Sequence, residues 1–385
     1  MTMISKYSPA LFPASILLAS CSATANVDTE AAEAEPTLKI EEMGTYAEPW
    51  AAAFVPGTET LIITQKTGEI LGYDTTTGRE FTVTGAPEVD YGGQGGLGDV
   101  AFLPSEAADN VGERTIYLSW AEAGSAGNRG AVVGRGTINC AAEADCAIEG
   151  LEVVWRQTPK TGRRGHYSHR IRFSLDEQYM FVTSGDRQEL EPAQDTSNNL
   201  GTIVRLNLDG TPAAGNPLAD QGGVTAQIWS YGHRNPLGFD FDADGRLWDI
   251  EHGPAGGDEL NLVEQGANYG WPTRSYGDHY NGDDIPDHTE DDGFNKPAIH
   301  WTPVIGPGDM IFYRGEMFGA WKGNALIAGL TANAIVRVEI DDDKASEAAR
   351  YEVGGRIRSI DEAADGSLWV LEDGENARLL KLSAQ

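Results

Sequence analysis

One phrase occurs twice, far apart in the chain. Leu237 to Gly253 reads LGFDFDADGRLWDIEHG, and Ile357 to Gly374 reads IRSIDEAADGSLWVLEDG. Each combines apolar alternation, an Asp-Gly turn, a Leu-Trp pair and an acid-Gly loop. Ile171 to Asp186, IRFSLDEQYMFVTSGD, is a looser third copy. Period-two alternation around an Asp-Gly pair predicts antiparallel hairpins. An all-strand repeat at intervals of tens of residues predicts propeller blades.

The remaining segments agree with this pattern. TLIITQKTGEILGYD reads as two strands around a Thr-Gly turn, and DVAFLP, RTIYLSW, AVVGRGTI, GTIVRLNLDG, NALIAGL and AIVRVEI read as further strands. No stretch has convincing amphipathic-helix periodicity, and Lys344 to Ala349 reads as a turn. The expected fold is all-β, a six-bladed β-propeller spanning 38–385. A stacked pair of β-sandwiches is the alternative.

Gly93-Gln94-Gly95-Gly96-Leu97-Gly98 spells GxGxxG. A dinucleotide fingerprint must follow a strand and open a helix, whereas Asp99 to Pro104 reads as strand. A Rossmann site is therefore excluded. The net charge of −31, from 59 acids against 28 bases, leaves no basic face for phosphates and excludes nucleic acid as a partner.

The N-terminus reads as a processing segment. Lys6 precedes an apolar run from Ala10 to Leu18 that is too short to span a bilayer. Leu18-Ala19-Ser20-Cys21 resembles a bacterial lipobox, in which Cys21 would carry a lipid anchor. Plain secretion with cleavage after Ala23-Thr24-Ala25 is the alternative. Residues 1–21 are thus expected to be a signal peptide and 22–37 a flexible tether, with the protein exported to the periplasmic side. Cys140 and Cys146, close together in an oxidising compartment, are expected to form a small-loop disulfide.

Several polar residues stand just before strands. Gln94 lies in the Gly-rich loop, His166 in GHYSHR, Arg234-Asn235 ahead of Pro236, and Arg356 and Arg358 around Ile357. In a propeller these positions meet on one face at the axis. Three arginines and two amides there suit an anionic ligand with several oxygens, because a guanidinium pairs two carboxylate oxygens at once. His166 is a candidate general base, with His169, His233 and His252 as rivals. The acidic stretch 278–297 lacks EF-hand spacing and reads as a solvated loop, with a calcium site as the alternative. Trp271 and Trp301 are expected in the core, with stacking against a bound ligand as the alternative.

GGQGGLGDVAF, HxSxRIxF, SGD, LGTIVRLNLDG, GHRNPLGFDF, EHGP, DELNL, NYGWP, GNALIAGL and GRIRSI occur in an order that resembles the soluble quinoprotein glucose dehydrogenases and related aldose sugar dehydrogenases. These are six-bladed propellers that use pyrroloquinoline quinone (PQQ) and calcium. The resemblance implies oxidation of the anomeric hydroxyl of an aldose to a lactone, with electrons passed to an unidentified acceptor. It implies that His166 is the base, that Gln94, Arg234, Asn235, Arg356 and Arg358 hold PQQ, and that the backbone carbonyls of Gly253 and Pro254 place calcium. One departure is Thr331, which stands where the glucose dehydrogenases carry a cofactor-contacting lysine. A calcium-dependent lactonase, or a sugar- or protein-binding surface propeller without catalysis, is the alternative function.

Overall fold

The computed structural model describes residues 35–140 and 146–385. The expected signal peptide, its Cys21 and most of the tether lie outside these residues. The described part is built of strands joined by turns and short 3-10 segments.

The strands form consecutive antiparallel sheets. Pro49–Phe54, Thr60–Gln65, Ile70–Asp74 and Arg79–Thr84 pair in chain order. Leu97–Phe102, Gly112–Ala123, Arg129–Cys140 and Cys146–Arg156 repeat this order, and a short parallel pairing of Val83 and Thr84 with Cys146 and Ala147 joins the two groups. Ser168–Phe173 leads the next sheet, Pro236–Phe241 the one after, and Pro307–Phe312 the following one. The last sheet runs Ile357–Glu362, Leu368–Glu372, Ala377–Ala384 and then Leu38–Tyr46, so the start of the described chain completes the sheet made by its end.

The leading strands contact one another in turn, and Ile357–Glu362 returns to Pro49–Phe54, closing a ring. Faces between adjacent sheets are packed with apolar side chains. Trp248, Ile250 and Leu260 meet Met310, Phe312 and Ile327, for example, and Leu61 and Ile63 meet Trp369 and Leu371. Hydrophobic alternation thus records packing between neighbouring sheets, as expected for a propeller-type arrangement.

The repeated phrase folds as read. Pro236–Phe241 pairs with Leu247–Glu251 around Asp244-Gly245, and Ile357–Glu362 pairs with Leu368–Glu372 around Asp365-Gly366. The GxGxxG stretch opens the strand Leu97–Phe102. One expectation fails: Lys344–Glu352 is a strand, not a turn. It pairs with Ala334–Asp341 as the outermost member of its sheet. Its Lys, Glu and Ala residues have low β-propensity, but an outer strand is stabilised by its partner, and charges there discourage edge-to-edge association.

The 278–297 segment is anchored at several points. Gly277-Asp278 pairs with Ala255-Gly256, Ile285 packs with Trp271, and Asp292 meets His288 at 3.2 Å and Arg274 at 3.6 Å. Glu35, read as tether, accepts hydrogen bonds from Trp321, Arg337 and Tyr351. Cys140 and Cys146 form the expected disulfide. Because it closes so small a loop, chain-entropy reasoning gives it about 2 kcal/mol. Reduction should therefore move the guanidinium unfolding midpoint only modestly, without loss of the fold.

Candidate active site

A cavity of ≈ 330 Å³ opens where the leading strands begin. Gln94, His166, Arg234, Asn235, Arg356 and Arg358 all line it. Residues separated by up to hundreds of positions meet here because each precedes or enters a leading strand. The floor includes Trp50, on whose ring the Arg170 guanidinium rests at 4.1 Å. Arg170 is held by Asp99 at 3.1 Å and Asp309 at 3.4 Å, so buried ion pairs support the cavity from below.

His166 is the most constrained of these groups. Its Nδ1 lies 2.7 Å from Asp186 Oδ1, and its amide donates to Gln94 Oε1 at 2.7 Å. A carboxylate only accepts, so Nδ1 carries the proton and Nε2 is left basic. Asp186 also accepts from the Trp271 indole at 2.8 Å. Burial pushes the His166 pKa down, more strongly than Asp186 raises it, so the imidazole is neutral. Burial would raise Asp186, but the His166 hydrogen bond, the Gln188 amide and Arg234 together hold its pKa below the usual range.

The two loops carrying this pair are strained and tightly apposed. His166, Ser168, His169, Arg187 and Gln188 all have φ between 48° and 60°, a region unfavourable for residues with a side chain. A Cβ on Gly185 would come within 2.2 Å of the His166 carbonyl oxygen. Glycine in SGD therefore permits the approach that sets Asp186 against His166.

The arginines differ in their partners. Arg356 pairs with Asp373 at 3.1 Å and Arg358 with the same carboxylate at 2.8 Å. Arg234 has no carboxylate on its guanidinium among the described residues. Its Nη1 donates to the His252 carbonyl at 3.0 Å, its Nη2 to Tyr280 at 3.3 Å, and its buried Nε has no partner. Glu251 fixes its position by accepting from the Arg234 and Asn235 amides at 2.6 and 3.2 Å.

The rival histidines separate. His169 and His252 line the cavity, and burial pushes each pKa down to about 3. His169 is tied to Ser119 at 2.7 Å and stacked on Trp50, which gives it a structural role. His233 is fully buried behind the cavity. Trp271 and Trp301 are both buried, Trp271 under the Arg234 guanidinium and Trp301 in the core with its indole on Glu347.

Gly253 and Pro254 do not line the main cavity. Gly253 borders a small neighbouring void that shares Arg234 and His252 with it. Both residues are buried, and neither carbonyl accepts a hydrogen bond among the described residues. A Cβ on Gly253 would fall within 2.2 Å of the Gly256 and Gly257 carbonyl oxygens. Buried carbonyls without donors are the donor set a hard cation takes.

The glucose/sorbosone dehydrogenase family profile matches residues 46–381. The chain belongs to this family. It is 34% identical to the aldose sugar dehydrogenase of Escherichia coli over 91% of this chain and 94% of that one. The crystal structure of that soluble enzyme in its apo form superposes with a TM-score of 0.83, covering 91% of this chain and all of the other. A PQQ-bound aldose sugar dehydrogenase from Streptomyces coelicolor is similar at 25% identity and a TM-score of 0.68, again over 91% and 100% of the two chains. Membership of the glucose/sorbosone dehydrogenase family makes this chain a sugar-oxidising oxidoreductase of propeller-like fold.

Sequence reasoning missed four contributors to the site. Asp186 sits in the SGD motif, where its position at a strand end was a usable signal. Asp373 follows the repeated Leu-Trp phrase, at the same acid-Gly loop that carries His252 in the earlier copy. Tyr280 is hidden in the acidic insertion, and no local pattern marks it. Lys66 lines the cavity from the turn after Thr60–Gln65 and pairs with Glu48 at 3.1 Å.

Proposed function

We propose that this protein oxidises the anomeric hydroxyl of aldose sugars to aldonolactones, using PQQ and calcium in a six-bladed propeller. The observation that carries the reading is the convergence of a neutral His166, held from behind by the Asp186 carboxylate, with Arg234, Arg356, Arg358, Gln94 and Asn235 in one cavity. Four cations line it, Lys66, Arg234, Arg356 and Arg358, against the acids Glu48 and Asp373, although the whole chain carries −31. A tricarboxylate cofactor fits that local excess of positive charge. Thr331, where the lysine of the glucose dehydrogenases is missing, is exposed beside the cavity residue Leu330.

Bound PQQ would supply the hydride acceptor, and calcium on the Gly253 and Pro254 carbonyls would polarise it. The chain's own residues do the rest. His166 Nε2 takes the proton from the sugar's anomeric hydroxyl as hydride leaves carbon. Asp186 keeps Nδ1 protonated and stabilises the imidazolium that forms. Arg234, Asn235 and Gln94 orient the ligand, and Trp50 closes the floor against water. A propeller lactonase would need free carboxylate and amide side chains around its metal, whereas Glu48 and Asp373 are engaged by Lys66 and the arginines.

Export follows from the leader and the disulfide, with a lipid at Cys21 as the membrane attachment and electrons delivered to an acceptor on the periplasmic side. The chain is read as signal peptide 1–21, tether 22–37 and catalytic propeller 38–385. The deciding experiment is titration of PQQ into the purified Cys21→Ser chain with and without calcium, following dye reduction by several aldoses. Saturable, calcium-dependent activity is expected. Absence of PQQ binding at micromolar concentrations would overturn the assignment.

A further inference from the structure

Behind the cavity, the strands Leu247–Glu251 and Asp258–Val263 place Asp249 directly opposite Asn261. Residues opposite one another in an antiparallel pair share a face. His233, from the turn before Pro236, meets the same face. Its Nδ1 lies 3.1 Å from Glu251 Oε1 and 3.7 Å from Asp249 Oδ2. His233, Asp249 and Asn261 are 0% exposed and Glu251 3%.

Within the cluster Glu251 is satisfied, its Oε1 facing His233 Nδ1 and accepting from the Asn261 amide at 3.3 Å and its Oε2 accepting from the Arg234 and Asn235 amides, but Asp249 is not. Among the described residues neither Asp249 oxygen accepts a hydrogen bond, and Asn261 Oδ1 is also without a partner. Among the described residues no lysine or arginine side chain pairs with Asp249 or Glu251. Burial, then the Glu251 charge, push the Asp249 pKa well above the usual carboxylate range. Two carboxylates enclosed with no cation are costly unless one takes a proton or a cation joins them.

We propose that His233, Asp249, Glu251 and Asn261 form a buried site for a first-row divalent cation, distinct from the calcium position read at Gly253 and Pro254. One ligand atom from each of His233, Asp249 and Glu251 lies within 4.8 Å of the others. Bonds of about 2.0–2.2 Å set neighbouring ligands about 3.0–3.6 Å apart, close to the separations at His233. The charge of the ion would cancel that of the two carboxylates. Ser230 Oγ stands 2.9 Å from His233 Nε2 and can accept a hydrogen bond from its N–H, leaving the Nδ1 lone pair for the metal. One imidazole with three oxygens suits Mn²⁺ or Zn²⁺ better than Ca²⁺, which prefers oxygen alone. The ion would also steady the turn that positions Arg234 and Asn235, because Glu251 Oε2 holds both amides.

The test is metal content, which does not depend on the quinone reading. The full chain is produced with Mn²⁺ or Zn²⁺ in the medium, passed through a chelator and analysed by plasma mass spectrometry. About one equivalent of a first-row ion is expected in the unmodified protein, with loss of that equivalent and a lower thermal midpoint in Asp249→Asn. If Asp249→Asn does not fold, Asn261→Ala should show reduced occupancy. An unmodified protein without such an ion would overturn the proposal, and so would equal content in both proteins. An Asp249→Asn midpoint that is unchanged or raised, with no ion in either protein, would instead identify Asp249 as a protonated acid.

Discussion

Changing His166 to alanine lowers kcat by about a thousandfold, within the roughly 10²–10⁴ that a positioned general base contributes, while PQQ still binds. His166 makes three hydrogen bonds, its amide to Gln94, its carbonyl from the Arg187 amide and its ring to Asp186, and only the last is lost with the side chain. Asp186→Asn tests the same idea from behind. An asparagine amide facing Nδ1 would donate to it and move the ring proton to Nε2, removing the base without removing the ring. A loss of similar order is expected, with the cofactor dissociation constant little changed. The pH profile adds a sign. Burial lowers the His166 pKa below its ordinary 6.5, so the acidic limb of kcat/KM should fall below about pH 6.5. A limb above pH 7, or an active His166→Ala, would assign the proton transfer to another group.

The fold was legible because its signal is repeated. Period-two alternation, Asp-Gly turns and Leu-Trp pairs recur, so an error in one copy is corrected by the others. Lys344–Glu352 escaped because its sequence has helix-like composition and its strand state depends on a neighbour, which local pattern does not record. The site was legible where chemistry sits at strand starts. Gln94, His166, Arg234, Asn235, Arg356 and Arg358 share that position, and topology then forces them together. Asp186 and Asp373 were harder to see because they act through other residues: one orients His166, the other divides its charge between two arginines. Tyr280 could not be found at all, since its reach to Arg234 depends on how the 277–297 excursion is pinned by Gly277, Ile285 and Asp292.

The pairing of the arginines ranks their importance for the cofactor, and Arg234 should rank first. Arg356 is half exposed, at 52%, and Arg358 is 14% exposed, and both already face Asp373. A ligand carboxylate must compete with Asp373 for either of them. Arg234 is buried on Trp271, spends its Nη atoms on neutral acceptors and keeps an unpartnered Nε. No carboxylate contacts its guanidinium among the described residues, so an arriving carboxylate gains the most there. A charge-assisted hydrogen bond in such a place contributes about 1.5–3 kcal/mol, and a forked pair more. Arg234→Ala should therefore weaken PQQ binding by at least about a hundredfold, read by calorimetric titration of the apo protein. Arg356→Ala should cost less than about tenfold, because exposure screens its charge and Asp373 shares it. Arg234→Lys should fall between, since an ammonium restores charge but not the planar fork. Equal, small losses at positions 234 and 356 would show that the ligand is not held through the Arg234 guanidinium, and would move its carboxylates toward the Lys66 side of the cavity.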